Sequence, residues 1–472
     1  MKHHFLEEPY LMFGKDTHIC PRKGIANYEV FDINFEERRS EIILGAVGLS
    51  ENIDQLYTWL AKCSGFIPAK KESKQPNLFP SFSGFNEASG FRSKIIFSDN
   101  LVRKINNTEM KKILALPNRG ERIEKAVELY HEHIKFLAQN RQLDVIICVL
   151  PKSFENKIVK EAKVTFEETL EEEKELELEI NFRRTLKAKS MEWHKPIQII
   201  KEKSFFSAKG SQDDATKAWN FCTALYYKSI LTVPWRLIKE ENKPLTCYAG
   251  ISFYKSRDKK STQTSLAQVF DELGNGVILR GEPVEIDKND LQPHLSVKQS
   301  YTLIKKALEE YRFALGTFPA RLVVHKSSNF NEAELNGFTK AVDELRITAA
   351  DFVTIFDSKI KLFRDGLYPP LRGTLIELEE TEYLLYTRGS VEYYQTYPGM
   401  YIPSPLQIRM IRNDESPLII CKEILALTKM NWNNTQFDGK YPITISCARR
   451  VGEIMKYLTP EQKPQLRYAF YM

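Results

Sequence analysis

LTCYAGISFY, residues Leu245–Tyr254, is an apolar run of strand length, and Val277–Arg280 and Val284–Ile286 read as its neighbouring strands. The turn residues Gly274-Asn275-Gly276 join the first two of these. Downstream, Ser296–Tyr311 has helical spacing, RLVVH (Arg321–His325) is a buried strand, and Asn331–Leu345 is helical again. Gly373–Thr387 alternates like a hairpin, and Pro417–Lys429 and Ile445–Leu458 read as closing helices. Three antiparallel strands followed by alternating helices and strands describe an α/β domain.

Upstream the rhythm is strand, helix, strand. Glu41–Leu49 (EIILGAVGL) is a continuous apolar run, and Asn52–Cys63 after it has helical spacing. Pro76–Gly90, rich in Pro, Gly, Ser and Phe, reads as an irregular loop. Arg119–Gln142 is an amphipathic helix with Ile123, Val127, Tyr130, Ile134 and Leu137 on one face. LDVIICVL (Leu143–Leu150) follows as a strand buried on both faces, then Pro151 and another helical region. That order argues for a parallel sheet.

Composition sets outer bounds. A chain of 472 residues is expected to hold two or three domains. With 42% hydrophobic and 28% charged residues it can bury a core, which excludes disordered and disulfide-scaffold classes. No apolar run approaches the roughly 20 residues of a membrane span, and the N-terminus lacks a secretion signal, so a cytoplasmic protein is expected. The net charge, 68 − 62 = +6, permits a polyanionic partner without demanding one. Seven scattered cysteines with no CxxC pair point to reduced core thiols. The acid-rich Glu167–Glu179 reads as a solvated helix face.

Several stretches resemble the Argonaute superfamily, and together they span nearly the whole chain. PYLMFGKDTHICPRKGIANY (Pro9–Tyr28) is similar to the leading segment of prokaryotic members. RLVVHKSSNF (Arg321–Phe330) resembles the family's VVH-basic-Asp strand end, and LALTKMNWN (Leu425–Asn433) with Tyr441-Pro442 resembles the closing PIWI signature. The resemblance is to short prokaryotic Argonautes, which carry only MID and PIWI domains. It implies a linker segment over 1–36, a Rossmann-like MID domain over 37–235 and a ribonuclease H-like PIWI domain over 236–472.

A pocket for the guide 5′ end can be argued from residue chemistry. Arg183 and Lys187 are four apart, so on a helix they share a face and can grip one phosphate. Gln198 lies in a strand-like run, where its amide can donate to a phosphate oxygen, and Lys228 stands where the resemblance places a lysine, shortly before the passage into the second domain. A basic residue, Lys, Gln and a later Lys is the family's pattern for a 5′-phosphorylated guide. Arg183 stands where many members have Tyr or His, which removes the stacking platform for the first base unless Phe182 supplies it. The apolar end YAFYM (Tyr468–Met472) reads as a final strand packed on the core. In relatives such a tail also brings its terminal carboxylate to a Mg²⁺ on the guide phosphate, which implies Met472 and Gln198 as metal-binding positions.

The nuclease site reads as lost. Two-metal cleavage needs a carboxylate cluster. Where the family has Gly-Ile-Asp this chain has Gly250-Ile251-Ser252, where it has His-basic-Asp it has His325-Lys326-Ser327, and Arg449 falls at the third position. Asp258 and Glu332 are close in sequence but out of register. A lone His325 reads as a packing or backbone-bonded residue. The implied function is a guide-loaded sensor, with no chemistry of its own, in a prokaryotic immune system. It would bind a 5′-phosphorylated small RNA, recognise complementary invader DNA uncut, and activate an APAZ-containing partner. That partner would carry a sirtuin-like domain by preference, or a TIR-type one, and deplete NAD. The rivals are an active guided endonuclease with misregistered carboxylates and a scaffold that binds no guide.

Overall fold

The computed structural model describes residues 2–70, 75–159, 182–205, 212–230, 232–238, 243–257, 261–270, 276–287, 290–397, 399, 401–459 and 461–472. The acid-rich 167–179 segment and Asp258 lie outside these residues, as do the first two of the turn residues at 274–276.

The chain opens with β1 (Lys2–Phe5), which belongs to the distant second sheet. The first sheet is laid down by β2 (Glu41–Leu49), β3 (Lys94–Ile96), β4 (Val102–Ile105), β5 (Val145–Leu150) and β6 (Ile197–Lys201). Its pairings are all parallel: β3 and β4 lie along one side of β2, β5 along the other, and β6 outside β5. Every residue of β5 is buried, as a continuous apolar run requires of a strand covered on both faces. The covering helices are α1 (Ser50–Ser64), α2 (Arg119–Asn140), α3 (182–190) and α4 (Asp214–Ile230). Helix α2 buries the five residues its spacing picks out. Its N-terminus is capped by Asn118, whose side chain accepts from the Glu121 N–H at 3.1 Å. The Tyr130 hydroxyl donates to the Val149 carbonyl at 2.7 Å and ties this helix to β5.

The second sheet comprises β7 (Thr246–Lys255), β8 (Thr262–Phe270), β9 (Gly276–Ile286), β10 (Pro293–His294), β11 (Arg321–Lys326), β12 (Ala349–Asp357), β13 (Thr374–Glu379), β14 (Glu382–Leu385) and β15 (Leu406–Arg412). With β1 it forms ten strands in the order β1-β13-β14-β15-β12-β11-β7-β8-β9-β10. Helices α5 (Val297–Leu315) and α6 (Glu332–Glu344) cover one face, and α8 (Ile443–Met455) the other, after α7 (Pro417–Leu427). The antiparallel β7-β8-β9 meander followed by parallel β7-β11-β12 is a ribonuclease H-like layout. The two-part α/β expectation therefore holds.

The meander differs from the sequence expectation in one strand. The partner of β7 is β8 (TQTSLAQVF), whose alternating polar residues hide it from a search for apolar runs. The pieces at 277–280 and 284–286 are one strand, and the connection across 271–275 joins β8, not β7, to it. Gly281 and Pro283 inside it look like breakers. A register shift between Gln263 and Ser265 accommodates them, as a bulge does for proline.

Two close approaches fix how the layers meet. A Cβ on Gly250 would lie 2.2 Å from the carbonyl oxygen of Thr444, so only glycine lets α8 settle onto β7. The halves share one apolar cluster, in which Leu44, Trp219 and Tyr226 join Trp432, Cys447 and Tyr471. The Trp235 indole donates to the Lys429 carbonyl and the Trp432 indole to the Trp235 carbonyl, both at 3.0 Å. The tail at 468–472 is buried in this cluster but forms a 3₁₀ turn, Tyr468–Phe470, rather than a strand. Among the described residues no helix is long and apolar enough to cross a membrane. All seven cysteines are buried and unbridged.

Candidate anion-binding site

Where α3, β6, the last turn of α4 and α8 converge, a recess of about 550 Å³ opens between the two sheets. Arg183 and Lys187, one turn apart on α3, line it together with Gln198 of β6 and Lys228 of α4. All four sequence-selected residues thus meet in one cavity, and Met472 reaches the same wall. Sequence reasoning missed Arg184 and Arg450, and placed Arg449 elsewhere. All three line the recess too. Two Arg-Arg doublets, each on a helix, were the signal that could have found them.

The electrostatics are one-sided. Six cationic side chains face the cavity and Glu453 is the one carboxylate side chain among its lining residues. That carboxylate is engaged by Arg184 and, at 3.3 Å, by Lys456. Arg449 lies over the Tyr441 ring, 4.2 Å from its centroid, a cation–π geometry that holds the guanidinium at the rim. Arg183 donates to the Ile199 carbonyl at 3.1 Å. Lys228, almost fully buried, donates from its Nζ to Oε1 of Gln198. The Lys187 Nζ is enclosed and has no hydrogen-bond partner among the described residues.

Buried ammonium groups without counter-charges are costly, and both lysines show it. Burial first, then Arg183 and Arg450, push the Lys187 ammonium down to about 7. Lys228 is driven well below its ordinary value by burial, Lys187, Arg450 and Arg183. An anion with several acceptor oxygens would relieve both at once.

Phe182 does not face this recess. It is fully buried between Tyr130 and Phe154, at ring-centroid distances of 5.8 and 4.7 Å, because it lies on the core side of α3. It therefore cannot stack on a guide base, and the aromatics that do line the cavity are Tyr441 and Tyr471.

Ser252 and Ser327, two of the positions that the resemblance assigns to a nuclease site, lie elsewhere. β7 and β11 are paired in parallel up to Ile251↔Lys326, so Ser252 and Ser327 are the next residues out on adjoining strands. On α8, Thr444 reaches these strands, its hydroxyl 2.9 Å from Nδ1 of His325. Arg449 lies further along α8, in the cationic recess. His325 is fully buried and held down to about 3, chiefly by burial and then by Arg321, so it is a neutral packing residue bonded to a side-chain hydroxyl. Lys326 is buried against Glu334, at 2.6 Å. Glu332 is the first residue of α6. No group of three or more His, Cys, Asp or Glu side chains suited to a metal occurs among the described residues.

No family model matches the sequence, and no curated protein matches it. Solved structures do. Clostridium butyricum Argonaute bound to a guide DNA and a 19-mer target DNA superposes with a TM-score of 0.67 at 15% identity, over 97% of this chain and 53% of that one. A. aeolicus Argonaute gives 0.59 at 15% identity, over 98% and 54%. Marinitoga piezophila Argonaute in complex with a 5′ OH guide RNA gives 0.57 at 13%, over 99% and 59%. The chain spans a little over half the length of these proteins. It has the α/β fold of the corresponding part of an Argonaute.

Proposed function

We propose that this chain is a guide-loaded sensor of complementary nucleic acid, holding the 5′-phosphate of a small RNA in the recess around Lys187 and Lys228. One observation carries the reading. Arg183, Lys187, Gln198 and Lys228, picked out by residue chemistry and the family pattern, converge on one cavity with three further arginines, and the Lys187 ammonium has no acceptor among the described residues. The direct test is equilibrium binding of the same RNA with a 5′-phosphate or a 5′-hydroxyl. A strong preference for the phosphate is expected, and equal affinities would overturn the assignment.

The target is complementary DNA, bound and left uncut. Supporting this, Ser252, Ser327 and Thr444 stand where strand ends and helix meet, and hydroxyls are poor substitutes for the carboxylates of a two-metal site. Recognition is then signalled to an APAZ-containing partner with a sirtuin-like or TIR-type domain that depletes NAD. A patch of exposed apolar side chains supports a protein partner. Phe363 and Leu367 follow β12, Tyr401 and Ile402 precede β15, and all four are more than 70% exposed. Because Asp357 pairs with Leu406, both loops leave the same end of the sheet. Such apolar groups on a folded surface mark an interaction site.

A further inference from the structure

The family resemblance implies a Mg²⁺ between the guide phosphate, Gln198 and the carboxylate of Met472, and the residues present can be tested against that ion. Mg²⁺ demands near-octahedral oxygen ligands and keeps several waters. The oxygen that Gln198 would offer already accepts the hydrogen bond of Lys228. A divalent cation there would face six cationic side chains, against two carboxylates when Met472 is counted beside Glu453. Of those two, Glu453 is engaged by Arg184 and Lys456. The donor set does not fit the metal.

We infer that the recess takes a terminal phosphate monoester without a divalent ion, the Lys228 amine occupying the place where a bridging metal would have to sit. This rests on the phosphate reading proposed above and deepens it. The charge that Mg²⁺ would neutralise is met by Lys187, whose Nζ has no acceptor among the described residues, and by Arg183 and Arg450 beside it. Gln198 keeps a different duty. Its Oε1 orients the Lys228 Nζ, leaving the Gln198 amide N–H groups as donors.

The experiment compares 5′-phosphoryl and 5′-hydroxyl forms of one RNA, with the full chain, in EDTA and in Mg²⁺ at matched ionic strength. The phosphate preference should be the same in both buffers to within about twofold. A preference that collapses by about tenfold or more in EDTA and returns with Mg²⁺ would overturn the inference. Absence of any preference in either buffer would overturn the phosphate reading itself, and the inference with it. Lys228→Met, near-isosteric and checked for folding by circular dichroism, supplies a second arm. Its preference should be lost in both buffers. Restoration by Mg²⁺ would mean that a metal can serve the site and would contradict the proposal.

Discussion

The Nζ of Lys228, at the end of α4, donates to the side-chain oxygen of Gln198 on β6, and so joins two of the four positions in the predicted phosphate pocket. The pair closes the floor of a cavity whose walls are arginines. From this contact follow expectations for binding, pH dependence, assembly and chemistry.

Replacing Lys187 and Lys228 together with Ala removes two charge-assisted contacts. At about 1.5–3 kcal/mol each, guide affinity should fall by several kcal/mol and become nearly indifferent to the 5′-phosphate. Because the two ammonium groups repel each other, each single substitution relieves the lysine that remains, and the double substitution should cost more than the sum of the single ones. A double variant that keeps the wild-type phosphate preference would show the cavity to be misassigned.

The pH dependence has a definite sign. Lys187 titrates near 7 in the folded chain against an ordinary value of 10.5, so between these values the unfolded chain holds the extra proton. Stability of the guide-free chain therefore rises with pH across that window, and the full cost of the buried charge is felt below it. The rise in Tm between about pH 7 and 9 should be smaller in Lys187→Met than in the wild type, and equal slopes would contradict the assignment. A bound phosphate re-protonates Lys187. The phosphate preference should accordingly weaken as pH rises above 7.

The apolar loop patch should be covered in the working assembly. Changing Phe363 and Leu367 to Asp should abolish a stable complex with the APAZ partner while leaving guide binding intact, since neither residue lines the recess. The wild-type complex should bury more than roughly 2,000 Å², where obligate interfaces begin. Size-exclusion chromatography of the coexpressed pair decides it. A complex that survives both substitutions unchanged would remove the patch from consideration.

Much of this was legible in the chain. The run VIICVL could only be a strand covered on both faces, and the i, i+4 pair Arg183/Lys187 could only share a helix face. What escaped was context. TQTSLAQVF alternates polar residues and becomes a strand because β7 and β9 flank it, which no local pattern announces. Phe182 precedes Arg183 by one residue, about 100° around the helix, and only the positions of Tyr130 and Phe154 put that face in the core. The resemblance puts Arg449 at the third nuclease position of the closing helix, whereas the packing of Thr444 against Gly250 sets the phase of α8 and turns Arg449 toward the recess.

Ser252→Asp and Ser327→Asp together should not create a nuclease. Two carboxylates would then stand at adjoining strand ends, but Thr444 and the neutral His325 offer no third acid, and Glu334 is already paired with Lys326. Appearance of Mg²⁺- or Mn²⁺-dependent cleavage in the double variant would show that the serines alone silence the site.

The most direct test of the sensor account uses the wild-type chain loaded with a 5′-phosphorylated RNA and given an end-labelled complementary DNA with Mg²⁺ or Mn²⁺, scored for retention and for cutting in the same sample. The account predicts that the DNA is retained and remains full length. A discrete product opposite the middle of the guide, or failure to retain the DNA at all, would contradict it.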